Sequence, residues 1–234
     1  MGSMVQINFH EATNVVNYIM DHGKEEHYAP RQFIYQAEDP ADYIYVIKSG
    51  IVLINRMVED GKEMSMKMLT RRSIFGSTTL FCGPKKHSLF AKVKTPTSVS
   101  KLNLKTFETA LLEDEVLNYE WLLWLQNEND KNEFKMRDLF TLGKKGALYS
   151  TLIRLSNTYG VKTDDGILLN VELTNNDLAN LCGTTREGVN RIISQLKTDK
   201  MISVKGKYIV LKNIQYLKNE INCESCPINI CRIE

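Results

Sequence analysis

The chain has 234 residues, enough for one large or two modest domains with buried cores. Hydrophobic residues make up 43%, which excludes a disordered chain; the formal net charge of +2 neither demands nor excludes a nucleic-acid partner, because a local basic patch can sit inside a balanced total. No apolar run reaches the roughly 18 residues of a membrane span, and no basic segment leads into an apolar stretch, so neither a membrane helix nor a secretory signal is expected and a cytoplasmic location is.

Met1, Gly2 and Ser3, ahead of Met4, read as a scar of recombinant expression. From residue 26 to 101 the chain reads as β-structure. Runs rich in Ile, Val and Tyr alternate with turn signals: 43–47, Ser49-Gly50, 51–56, Asp60-Gly61, 64–69, Phe75-Gly76, Gly83-Pro84 and 88–93. Short strands at such spacing predict a sandwich or barrel, not a parallel sheet. Residues 104–142 contain no Gly or Pro and predict a short helix over 104–112 and a long one over 116–142. Leu117, Trp121, Trp124 and Glu128 recur at spacings of four, three and four, as in a two-helix seam. This predicts a dimer helix; the plainer alternative is an amphipathic helix packed on its own domain. Gly143-Lys144-Lys145-Gly146 punctuates the chain and marks a domain boundary. A helix over 147–159 then carries Leu148, Leu152, Ile153 and Leu155 on one face. Asp164-Asp165-Gly166 predicts a turn and 167–171 a strand.

Thr174 followed by Asp177, and Thr184 followed by Glu187, resemble capping boxes and announce two short helices. Ala179 is placed where two helices approach closely, and Gly183 in a turn where positive φ is cheap. Val189 and Ile192 point back to a small core. Together these offsets form a helix-turn-helix pattern, although no single residue would. At about 100° per residue, Val189, Ile192 and Leu196 share one side of the second helix, and Arg186, Glu187, Asn190, Arg191, Ser194 and Lys197 the other. Arginine can bond guanine O6 and N7, and a carboxylate can accept from cytosine N4. The candidate DNA-contacting residues are therefore Thr185, Arg186, Glu187, Asn190 and Arg191. A hairpin of 202–204, a Lys205-Gly206 turn and 207–211 reads as a wing, with Lys205 and Lys207 facing phosphates.

Five cysteines, an odd number, argue for free thiols or metal ligands over a disulfide framework. Cys223, Cys226 and Cys231 cluster near the C-terminus in a C-x2-C-P-x3-C pattern, a soft-ligand set suited to an iron–sulfur cluster or zinc. None of His10, His22, His27 and His87 flanks that cluster. Cys182 reads as a small core residue and Cys82 as a packed or free loop thiol. No nucleophile–base pair or phosphate-cradling glycine loop stands out, so an enzyme is not expected.

The β-rich first part, the long helix and the winged helix with Arg186-Glu187-x3-Arg191 resemble the CRP/FNR superfamily of transcription regulators over nearly the whole chain. The resemblance implies an α+β architecture. A β-roll sensor domain (a double-stranded β-helix, jelly-roll-like) would occupy 1–103 and a helical connector with the dimerisation helix 104–142. A winged helix-turn-helix would occupy 143–218 and a cysteine tail 219–234. It further implies a homodimer on a palindromic, double-stranded TGTGA-type site read by Arg186, Glu187 and Arg191, with RNA polymerase as a partner. Asn190 follows the family's E-x-x-S-R form only loosely. Members that bind cyclic nucleotide carry a G-E-L-x-L-F stretch and an Arg-Ser pair; here Ser77 and His87 replace the two charged residues, so cyclic nucleotide is not expected. The tail, with KKGALYSTLIRLSNTYG and TREGVNRII, is similar to the Fnr oxygen regulators of Bacillus and relatives. That likeness implies an oxygen-labile [4Fe–4S] cluster on Cys223, Cys226, Cys231 and, as fourth ligand, Asp138, controlling genes of anaerobic metabolism. A structural zinc or thiol-switch tail, or a small-molecule effector in the β-roll, is the competing expectation.

Overall fold

A computed structural model describes residues 12–58, 61, 63–83 and 85–234. Residues 1–3, His10, and the turn residues Asp60 and Pro84 lie outside the described residues. The chain divides into two compact units, one reaching to residue 56 and resuming over 68–129, the other comprising 57–67 and 130–234.

The first unit opens with helix α1 (Thr13–His22), whose Val15, Val16 and Ile19 form one buried face. No turn or cap motif had marked it. Strands β1 (Lys24–Tyr28), β2 (Phe33–Tyr35), β3 (Tyr43–Met57), β4 (Glu63–Leu69), β5 (Ile74–Gly76) and β6 (Phe90–Asn103) follow. They form an antiparallel sheet in the order β1-β6-β3-β4, with β2 also on β6 and β5 on β3. The runs 43–47 and 51–56 belong to one strand, not two. Gly50, at φ +94°, lets β3 shift register against β6 without ending: a Cβ there would meet the Pro96 carbonyl oxygen at 2.4 Å. Phe75-Gly76 is a strand end, not a turn.

Alternation along β3 sends its side chains into two separate cores. Ile44 and Val46 join α1, Ile74 and Leu102 in one. Tyr45, Ile47 and Val52 join Tyr35, Leu69, Phe75 and Val99 in the other. Asn103 caps α2 (Leu104–Glu113) by accepting from Lys105 N at 3.0 Å. Asp114 starts α3 (Glu115–Thr141) by accepting from Val116 N at 2.9 Å and Leu117 N at 3.0 Å.

The predicted dimer seam is corrected here. Leu117 and Trp121 are 3% and 2% exposed, inside the core formed with α1 and α2. Trp121 meets Phe107 edge-on at 5.1 Å and stacks on Trp124 at 4.8 Å, and Glu128 is buried as well. That face of α3 is spent on the chain's own fold. The opposite face carries Tyr119, Leu122, Gln126, Asn129, Glu133, Met136 and Phe140, all exposed and spaced alternately by three and four. A seam spacing fits either face of a long helix, and only burial separates the two.

In the second unit α3 breaks at Gly143, whose φ of +61° makes the kink in a single residue. Helix α4 (Gly143–Tyr159) resumes at once, so the predicted linker 143–146 is its first turn. Residues 146–155 of α4 are all buried, not one face of them. Strands β7 (Gly160–Thr163) and β8 (Gly166–Leu169), helices α5 (Asn175–Cys182) and α6 (Arg186–Thr198), strands β9 (Ile202–Lys205) and β10 (Tyr208–Leu211), and α7 (Ile214–Glu220) complete the unit. The sheet order is β7-β8-β10-β9. Lys135 Nζ donates to the Ser65 and Met66 carbonyls at 3.3 and 2.5 Å, tying α3 to the 57–67 segment of the same unit.

Candidate nucleic-acid interface and thiol site

The two short helices α5 and α6 stand as the sequence announces them, with adjustments. Thr174 Oγ1 accepts from Asp177 N at 3.1 Å while Asp177 accepts from Thr174 N at 2.8 Å, a complete capping box. Gly183 closes α5 in the left-handed region at φ +60°. The turn runs one residue further than predicted. Thr185, not Thr184, caps α6, accepting from Gly188 N at 3.1 Å. The buried set on α6 is Gly188, Val189, Ile193 and Leu196, so Ile193 points inward where Ile192 was expected.

The outward face is as predicted: Arg186, Glu187, Asn190, Arg191, Ser194 and Lys197 are all exposed. Glu187 sits in the first turn, where the helix dipole favours a carboxylate. Asn190 Oδ1 accepts from Asn175 Nδ2 at 3.0 Å, joining the two helices at their outer rim. The β9–β10 hairpin turns at Gly206 (φ +64°) and Lys207, one residue later than expected. Its lysines are exposed and paired within the chain: Lys205 with Asp165 at 3.3 Å and Lys207 with Glu172 at 3.0 Å. Exposed pairs of this kind hold only weakly and give way to a phosphate at little cost.

The three tail cysteines and Asp138 converge. Cys223, Cys226, Cys231 and Asp138 line one cavity of about 90 Å³, together with Ser150 and Arg154. Among the described residues no three His, Cys, Asp or Glu side chains stand close enough to hold an ion as placed. Burial raises the Cys231 thiol above its ordinary value, as do the neighbouring Cys226, Cys223 and Asp138, and the nearby Arg154 opposes them. Asp138, at the end of α3, is buried, and both its oxygens are engaged. Oδ1 accepts from Arg137 Nη2 at 2.8 Å; Oδ2 accepts from Ser150 Oγ at 2.5 Å and Arg154 Nη2 at 2.7 Å. Burial would raise the Asp138 carboxyl, and these three donors outweigh it, leaving it below the usual range. The ion-pair partners are thus Arg154 and Arg137, while Lys135, one turn earlier on α3, points to the Ser65 and Met66 carbonyls.

Arg154 and Ser150 escaped the sequence reading. The available signal was an arginine inside the otherwise apolar run Leu152-Ile153-Arg154-Leu155, which lies in the stretch of α4 where every residue is buried. Of the other thiols, Cys182 is a core residue: its Sγ contacts Thr151 Oγ1 at 3.3 Å and burial pushes it up to about 11. Cys82 is exposed.

In the β-roll, Ser77 and His87 are both buried. His87 stacks on Tyr35 at 3.7 Å, and Tyr45 stacks on Phe75 at 5.0 Å. Burial lowers His87 below its ordinary value against the pull of Asp39 and Asp42, so a neutral ring stands where the resemblance would place an arginine.

A β-roll followed by a winged helix-turn-helix defines a class of DNA-binding regulators, and comparison with known proteins agrees. Residues 25–114 match the cyclic nucleotide-binding domain family, and residues 146–220 the Crp-like helix-turn-helix domain family. The anaerobic regulatory protein of Bacillus subtilis is 41% identical over 86% of this chain and 85% of its own length. The global nitrogen regulator of Nostoc is 30% identical over 74% of this chain and 78% of its own. The structure of FixK2 from Bradyrhizobium japonicum shares the fold with a TM-score of 0.75 at 24% identity, covering 84% of this chain and 96% of that one. The chain belongs to the Crp/Fnr family of DNA-binding transcription regulators. Its relatives are regulators rather than enzymes, and no helix among the described residues is long and apolar enough to cross a membrane.

Proposed function

We propose that this chain is an oxygen-responsive regulator of anaerobic genes, bound to DNA as a homodimer and controlled through its cysteine tail. The observation that carries the reading is the convergence of Cys223, Cys226, Cys231 and Asp138 on one cavity. Three thiols and one carboxylate suit the soft, four-iron chemistry of a [4Fe–4S] cluster, whose fourth iron lacks a cysteine here. When bound, such a cluster supplies an oxygen-labile joint between the tail and α3. Asp138 would give up one of its present donors to act as a ligand. Its position at the end of α3, one residue-kink from α4, links the thiols to the helix that packs against α5 and α6.

On the DNA side, Arg186, Glu187 and Arg191 read a TGTGA-type half-site from the first turns of α6, with Thr185 and Asn190 beside them. Lys205 and Lys207 meet the phosphate backbone. Two copies pair through the exposed heptad face of α3, placing half-sites about 34 Å apart. RNA polymerase is the expected further partner. Cyclic nucleotide is not expected, because the two positions that would bear charge hold the buried Ser77 and the stacked His87.

Metal and sulfide analysis of protein purified without oxygen tests the sensor reading. About four irons and four sulfides per chain, with a visible absorption that oxygen bleaches, is the expected result. Zinc without iron would replace it with a structural-metal tail and leave the DNA-binding assignment standing.

A further inference from the structure

Arg154 is 3% exposed in the middle of α4, and its guanidinium reaches three chain segments. Nη2 donates to Asp138 Oδ2 at 2.7 Å, Nε to Ser150 Oγ at 3.3 Å, and Nη1 to the Ile230 carbonyl oxygen at 3.3 Å. A buried guanidinium is tolerated only when its donors are met, and here the carboxylate, a hydroxyl and the tail backbone meet them. The tail is held at neighbouring points too. Asn157 Nδ2 donates to the Cys231 carbonyl at 2.7 Å, Ile233 N donates to Thr158 Oγ1 at 3.2 Å, and the side chains of Ile230 and Ile233 are buried. None of these contacts uses a cysteine sulfur. The thiols therefore stand on a segment that the polypeptide itself docks.

We propose that Arg154 is the positioning residue of the thiol site. It fixes Asp138 and the backbone beside Cys231 against α4 before anything binds, so the polypeptide itself docks the tail and only the thiol side chains and Asp138 have to close in on a bound group. The inference rests on reading the cavity as a ligand site, but its geometry belongs to the metal-free chain. Loss of a bound group would then leave the tail in place, with Asp138 returned to its ion pair.

The test uses full-length, reduced, metal-free protein, followed by amide exchange of residues 221–234 and by iodoacetamide alkylation of each cysteine. The wild-type tail amides of Cys231 and Ile233 should be protected. Arg154→Gln should speed tail exchange by about tenfold, the loss expected for one charged hydrogen bond, and Cys231 alkylation, expressed per thiolate because Arg154 also favours the thiolate, should rise in step. Cys182, buried between α4 and α5, should keep its wild-type rate, which a general loosening of the unit would not allow. Arg154→Lys, which keeps the charge, should recover part of the protection. Because Arg154→Gln takes the buried cation from Asp138 and leaves it only Arg137 and Ser150, the paired variant Asp138→Asn/Arg154→Gln removes the buried ion pair from both sides and should show the same selective loss. A wild-type tail exchanging at unstructured rates overturns the proposal. So does an unchanged Cys231 rate in the paired variant, or a Cys182 rate that rises in step with Cys231. Absence of iron in anaerobic protein would sink the sensor reading while leaving these rates to decide the docking question.

Discussion

At the scale of single residues, Arg186 and Lys135 lead to separate measurements. Arg186 is exposed in the first turn of the recognition helix, where a side chain reaches base edges. Arg186→Ala should cost about 1–3 kcal/mol on the specific site and relax preference at one base pair. Binding assays on specific and random duplexes check this, and equal losses on both would contradict it. Lys135 behaves differently because burial lowers its folded pKa to about 8. An unfolded lysine keeps its proton to about pH 10.4. Between those values the unfolded chain binds more protons, so stability rises with pH there; below about 8 both states are charged and the desolvation cost is present in full. Wild-type melting temperature should therefore gain on Lys135→Met as pH is raised from about 8 to about 10. A constant gap across that range would mean the ammonium is not desolvated in the fold.

At the scale of elements, α3 shows why a periodic pattern is not an interface. Its two faces carry the same spacing, one buried in its own unit and one exposed along the helix. The two are separable by substitution. Trp121→Ala should lower stability by about 3–5 kcal/mol, as expected for an aromatic removed from a core, and thermal unfolding reads it directly. Leu122→Glu should leave the melt of isolated chains nearly unchanged and convert the dimer to monomers in sedimentation. The exposed face is apolar at its ends, with Tyr119, Leu122, Met136 and Phe140, and polar between them, with Gln126, Asn129 and Glu133. In paired helices polar positions of that kind set register at some cost in stability. A Leu122→Glu protein that remains fully dimeric would remove the heptad face from consideration.

At the scale of the whole molecule, the near-neutral total charge conceals a local balance at the wing. Lys205 and Lys207 each face an acid of their own chain, Asp165 and Glu172. If the wing lysines meet phosphate as proposed, those acids compete for the same ammonium groups. Asp165→Asn with Glu172→Gln should therefore strengthen binding to all duplexes alike and steepen its dependence on salt, by up to about one unit of slope per lysine freed. Titrations at several salt concentrations measure both effects. An unchanged slope would show that the wing does not approach the backbone.

Much of this was determined by the sequence alone, because the signals were local. The Thr174–Asp177 box, Gly183 in its turn and the polar face from Arg186 to Lys197 depend on neighbours within a few residues, and the helix-turn-helix stands as those neighbours dictate. The β-strand runs and the long helix were legible for the same reason: alternation and helical period are properties of short windows. Errors of one residue, Thr184 expected for the cap that Thr185 makes and Ile192 for the buried Ile193, arose where two neighbours of the same type fit the pattern and packing chose between them. What the sequence left undecided needed contacts far apart in the chain. Which face of α3 is buried depends on α1 and α2 packing against Leu117 and Trp121. The partner of Asp138 is Arg154, sixteen residues away, and Ile230 lies a further seventy-six beyond. Burial and ion pairing are set by what the tertiary structure brings together, and no spacing rule along the chain encodes them.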